Sequence, residues 1–116
     1  MEIKIRRYES IYIVDIYGDM DMYNANDVKN LINTMIKKDI RYYIINLDNV
    51  DYIDSSGIGA LIYVHSELKK RNMALRIVNV KGSVKKVIEL TKLIGFFQIA
   101  PTVKDGIAEL SRMNRS

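Results

Sequence analysis

From residue 40 onward, runs rich in β-branched and aromatic residues alternate with amphipathic segments, and two short alternating runs precede them near residues 3 to 7 and 11 to 17. Alternation of strand and helix favours a parallel sheet, whereas two runs joined through Tyr8-Glu9-Ser10 form an antiparallel hairpin. The expected class is therefore α/β, a mixed sheet of four to five strands with about four helices, in one domain spanning 1–116. A chain of 116 residues is long enough to bury a single core.

Gly18 is expected to end the second strand. Asn24 or Asn26 then caps a helix whose Val28, Leu31, Ile32, Met35 and Ile36 make one apolar face, closing in Lys37-Lys38. Tyr42-Tyr43-Ile44-Ile45-Asn46-Leu47 has the composition of a strand. An Asp-rich loop is expected after it, leading to a helix from about 56 to 70 that Asn72 closes in the left-handed conformation. A strand at 74 to 79, a helix through Val84, Val87, Ile88 and Leu90, and a short strand around 96 to 99 follow. Pro101 and Thr102 introduce the last helix.

Composition removes several function classes. There are no cysteines, hence no disulfides, thiolate chemistry or Cys-type zinc sites. The apolar runs are far shorter than a membrane span, and the charged start carries no signal-peptide core, so a soluble cytoplasmic protein is expected. A net charge of +4 would suit nucleic acid, but Lys37-Lys38 and Lys69-Lys70-Arg71 fall at predicted helix ends, where cations favour the helix dipole. The tyrosines, among them Tyr12, Tyr42, Tyr43 and Tyr52, read as core or half-buried positions. Asp19, Asp21, Asp48, Asp51 and Asp54 gather in predicted loops, without calcium-loop or zinc spacing. Neither nucleic acid, membrane nor metal is expected to bind.

The chemistry concentrates at Asp54-Ser55-Ser56-Gly57-Ile58-Gly59, where a buried strand hands over to a helix. First-turn amides have no partner within a helix and favour an anion, so a phosphoserine is tolerated there. Ser55 reads equally as a plain helix cap. As a nucleophile it lacks a base, because His65, the only histidine, is ten residues along the same helix, about 15 Å away. No Gly-x-Ser-x-Gly elbow is present, and Gly57-x-Gly59 copies only half of a dinucleotide fingerprint. The glycines read as letting the turn form and the helix approach the sheet. Asp19-Met20-Asp21 also follows a predicted strand, so both acidic stretches are expected on one rim, where ligands and partners meet such sheets.

The string Val50-Asp51-Tyr52-Ile53-Asp54-Ser55-Ser56-Gly57-Ile58-Gly59-Ala60-Leu61 resembles the signature of STAS-domain anti-sigma factor antagonists, or anti-anti-sigma factors. Gly18-Asp19-Met20-Asp21 is similar to that family's Gly-acid-apolar-Asp turn, and Leu90-Thr91-Lys92-Leu93-Ile94-Gly95-Phe96-Phe97 to its closing segment. Arg71-Asn72 replaces a commonly glycine-rich turn, and Lys92 stands where glycine is frequent. The resemblance implies that Ser55 is phosphorylated by an anti-sigma factor that is a serine kinase. The unphosphorylated form captures that kinase and frees a sigma factor, and a PP2C-type phosphatase resets the switch. A partner-contacting role for Asp21 and a supporting one for Ser56 are implied as well, with Asp54, Gly57 and Ile58 in the partner-binding surface. The chain would then be a phosphoacceptor without enzyme activity or cofactor, monomeric when free. The alternatives are a STAS scaffold subunit of a stress-sensing or transport complex, and a nucleotide-binding regulator.

Overall fold

In the computed structural model, which describes residues 1–114, the sheet is built in the order in which its strands occur. β1 (Glu2–Tyr8) and β2 (Ile11–Met20) form the antiparallel hairpin, turning through Glu9 at φ 53. β3 (Tyr42–Ile53), β4 (Ala74–Val78) and β5 (Ile99–Ala100) then add in parallel, giving five strands in the order β1-β2-β3-β4-β5. Each parallel addition passes through a helix: α1 (Ala25–Lys37), α2 (Ser55–Lys70) and α3 (Gly82–Leu90), with α4 (Val103–Asn114) last. The mixed α/β sheet expected from the sequence is the one observed.

The helices divide between the two faces of the sheet. Val28, Ile32 and Met35 of α1, Leu61, Val64 and Leu68 of α2, and Val84 and Ile88 of α3 pack on Val14, Ile16, Tyr43, Ile45 and Ile77. On the other face α4 sets Leu110 against Ile11, Ile13, Ile44, Val78 and Ala100. Beyond α4 that face is polar. Buried Asp15 receives Arg6 Nε and Nη2 at 2.6 and 3.0 Å and Asn46 Nδ2 at 2.8 Å, while Asn79 Nδ2 donates to Asn46 Oδ1 at 2.8 Å.

Two strands run further than their composition suggests. β2 does not stop at Gly18, which continues it at φ 96, paired with Val50. β3 extends through the run expected to be an acidic loop. Between the pairs Asp15–Asn46 and Tyr17–Asn49, and again between Gly18–Val50 and Met20–Ile53, β3 spends three residues where β2 spends two. Each such bulge resets the inward parity, so Leu47, Val50 and Ile53 all face the core while Asp48 and Asp51 face solvent. Asp48 receives Lys81 Nζ at 2.5 Å, and the Asp51 carbonyl accepts from Ser83 Oγ at 2.7 Å. Both contacts fasten the start of α3 to β3.

Smaller differences have local causes. Tyr52, expected half-buried, is 51% exposed because it lies in the second bulge, and Leu90, within the expected helix, is 82% exposed at the last turn of α3. Asn72 closes α2 at φ 57 as expected, and Lys92, standing where glycine is frequent, also takes positive φ at 60. The strand expected at 96 to 99 shrinks to Ile99–Ala100, which pairs only with Ile77 and Val78. The outer edge of β4 from Ala74 to Arg76 is therefore strandless. Arg76 folds over it, donating Nη1 to the Leu75 carbonyl at 3.0 Å and Nε to Glu109 Oε1 at 2.8 Å.

Candidate functional site at the strand-to-helix rim

The carboxyl ends of β2 and β3 finish side by side at the pair Met20–Ile53, and both chains turn there. Asp54 N donates to the Met20 carbonyl at 3.1 Å, holding the second turn against the first. Asp54 is extended, at φ −105 and ψ −173, and is the N-cap of α2: Oδ1 accepts from Ser56 N at 2.8 Å and Gly57 N at 3.0 Å. Its other oxygen, Oδ2, accepts from Met22 N at 3.2 Å in the turn between β2 and α1. One carboxylate thus serves the helix start and the neighbouring turn.

That geometry excludes Ser55 as the helix cap. The cap is Asp54, so Ser55 is the first residue of the helix, exposed, and among the described residues its hydroxyl has no hydrogen-bond partner. It also corrects the expectation of open first-turn amides. Asp54 already fills the anionic place at the helix start, so a phosphate on Ser55 would stand outside the turn and not in a cradle.

Asp21 is brought to the same rim. Its Oδ1 accepts from Tyr23 N at 2.9 Å, and its carbonyl accepts from Asn24 N and Ala25 N at 3.2 and 2.9 Å. Asn24, at the N-cap position of α1, makes no side-chain cap bond to the helix. Instead its Oδ1 accepts from Asp21 N at 3.0 Å and its Nδ2 donates to the Asp19 carbonyl at 2.8 Å. The turn from Asp19 to Asn24 is closed by side chain to backbone bonds at both ends.

Gly57 and Ile58, expected within the partner-facing surface, lie beneath it. Both are buried, Ile58 at 5% exposure, and Ile58 packs in the core. A Cβ on Gly57 would fall 2.6 Å from both the Met20 carbonyl oxygen and Ile53 Cγ1, so glycine is what lets α2 approach the paired strand ends. Their contribution is to place the two serines. Gly59 behaves differently, since a Cβ there would meet nothing within 4 Å. Ser56 is half-buried beside Ser55.

Two residues at the rim escaped the reading of the sequence. Met22 and Tyr23, between Asp21 and Asn24, are 67% and 87% exposed. Their only signal was position: two large side chains in a polar turn, ahead of the apolar face that begins at Val28. His65 takes no part. It is buried under Phe96 and Phe97, with ring centroids at 4.6 and 5.9 Å, and burial together with nearby Lys69 lowers its pKa below 6.5. Among the described residues no group of three or more His, Cys, Asp or Glu is placed to hold a metal ion, and no helix is long and apolar enough to cross a membrane.

Comparison with known proteins adds to this geometry. The family model described as STAS domain matches residues 2–106. An anti-sigma-B factor antagonist of Staphylococcus aureus is 26% identical over 93 residues, covering 80% of this chain and 86% of that one. Among solved structures, an anti-sigma factor antagonist from Mycobacterium paratuberculosis superimposes with a TM-score of 0.84 at 21% identity, over 93% of this chain and 92% of the other. The Bacillus cell fate determinant SpoIIAA in its phosphorylated form gives 0.72 at 19% identity, over 94% and 99%. At those identities the two structural matches speak for the fold.

Proposed function

The chain belongs to the STAS domain family, and from that premise we propose that it is an anti-sigma factor antagonist whose binding is switched by phosphorylation of Ser55. Unmodified, it captures an anti-sigma factor that is also a serine kinase and so releases a sigma factor in the cytoplasm. Phosphorylated, it lets the kinase go, and a PP2C-type phosphatase restores it. The observation that carries this reading is the unbonded, exposed hydroxyl of Ser55 on the first turn of α2, behind a cap made by another residue.

The chemical step needs little from this chain. Ser55 Oγ attacks the γ-phosphorus of ATP held by the kinase. The new O–P bond replaces the bond to the bridging oxygen, ADP leaves, and the hydroxyl proton passes to a base of the kinase. We assign Asp54 a different part, since its Oδ1 accepts from Ser56 N and Gly57 N and its Oδ2 from Met22 N. Its part is to hold the serine in place. Asp21 and Ser56 complete the docking surface.

Phosphorylation adds about 1.5 to 2 negative charges. Against one carboxylate of the docked complex at about 5 Å, an effective dielectric near 20 gives roughly 3 kcal/mol of repulsion per charge pair. Solvent and salt reduce this. A residue of about 1.4 kcal/mol confined to the complex still weakens binding tenfold. Bulk acts in the same direction, since the phosphate displaces any surface seated on the serine.

The test is intact-mass measurement after incubation with the purified anti-sigma factor kinase and ATP. One phosphate, mapped to Ser55, is expected; Ser55→Ala takes up none but still binds, and Ser55→Asp binds at least about tenfold more weakly by titration calorimetry. Undiminished labelling of Ser55→Ala would place the acceptor elsewhere.

A further inference from the structure

Met22 and Tyr23 are two large side chains displayed on the turn between β2 and α1. At 67% and 87% exposure they bury little against the protein, yet the turn that displays them is tied by side chain to backbone hydrogen bonds. Met22 N is held by Asp54 Oδ2 at 3.2 Å and Tyr23 N by Asp21 Oδ1 at 2.9 Å. Asn24 closes the turn through the Asp21 amide and the Asp19 carbonyl at 3.0 and 2.8 Å. These bonds fix the backbone of the turn without a partner, and preorganisation of that kind lowers the ordering cost of binding.

Resting on the reading that a serine kinase docks at Ser55, we propose that Met22 and Tyr23 are the apolar anchor of that complex. Three observations say what covers them. The anchor turn and the first turn of α2 hang on the two oxygens of one carboxylate, Asp54, so a protein seated over Ser55 meets this turn on the same approach. Aromatic and methionine side chains are the types enriched at the centres of protein interfaces. Asp19 and Asp21 flank the pair, and neither is in an ion pair among the described residues. The partner surface that fits is an apolar pocket bordered by Arg or Lys, on the kinase itself. Phosphorylation and anchoring then act on one complex from neighbouring points, with Tyr23 supplying affinity and Ser55 the means of cancelling it.

The experiment uses the full chain carrying Met22→Ser and Tyr23→Ser, alone and together, with the same purified kinase. Titration calorimetry gives affinity, mass spectrometry gives phosphate at Ser55, and thermal melting reports folding. The double variant is expected to melt like wild type and to bind about tenfold or more weakly. Its phosphorylation should slow at low concentration and recover at saturating concentration. Tyr23→Phe, which keeps the ring, should bind within about threefold of wild type. If wild type binds and is phosphorylated while the double variant binds equally well, the anchor is wrong and the switch stands. If wild type neither binds nor gains phosphate, the function itself is wrong and the anchor falls with it. A free protein that sediments as a dimer, dissociated by the same substitutions, would show that a second copy covers the turn and would overturn the proposal too.

Discussion

Gly57 and Gly59 look alike in the sequence, two small residues in the opening turns of one helix, yet they meet different surroundings. A methyl group on Gly57 would be driven into a backbone oxygen at 2.6 Å, an atom that cannot step aside as a flexible side chain can. Gly57→Ala is therefore expected to cost about 1–3 kcal/mol through overpacking. Gly59→Ala has open space and should gain about 0.5–1 kcal/mol from helix propensity. Urea denaturation of the two variants beside wild type measures both signs. Spacing alone made the pair read as one feature, because the approach of Met20 to position 57 depends on a contact between residues far apart in the chain. Ser55 carried the same ambiguity between cap and acceptor. Composition could not resolve it, since Asp54 and Ser55 are both good capping residues.

At the scale of elements, Asp54 is the joint between α2 and the turn before α1. Replacing it by alanine removes the acceptor for two helix amides and one turn amide. The expected loss is about 1–2 kcal/mol of stability, and hydrogen exchange should quicken at Met22 as well as at Ser56 and Gly57. Protection unchanged at Met22 would separate the two elements. Helices were legible from their periodic apolar faces, and Asn72 from its place at the end of α2. The extension of β3 was not, for a physical reason. Aspartate and asparagine are poor strand formers, and two bulges break the alternation that marks a strand. Leu47, Val50 and Ile53 recur every third residue, a pattern that becomes meaningful only when β2 is laid alongside.

For the molecule as a whole, the mixed sheet followed from the order of its segments, while the separation of the helices, three on one face and α4 on the other, came from packing. One global property can be read from His65. Its pKa is lowered in the folded state, first by burial and then by Lys69, so the unfolded chain binds the proton more readily. The stability it contributes is therefore present above the unfolded value of 6.5 and is lost as pH falls through the lower folded value. The melting temperature should drop as pH falls below that unfolded value, and His65→Gln should flatten that part of the profile. A slope unchanged by the substitution would assign it to other groups.

The unfinished side of the sheet carries a different consequence. With β5 only two residues long, the border of β4 is a template on which another extended chain could crystallise, the route by which ordinary proteins convert to fibrils. Arg76 occupies that template with its own guanidinium, and Glu109 steadies the guanidinium from α4. A newcomer must evict a charged group before the first rung can form, so removing Arg76 or Glu109, which fasten α4 to β4, is expected to favour association between copies when they are crowded together.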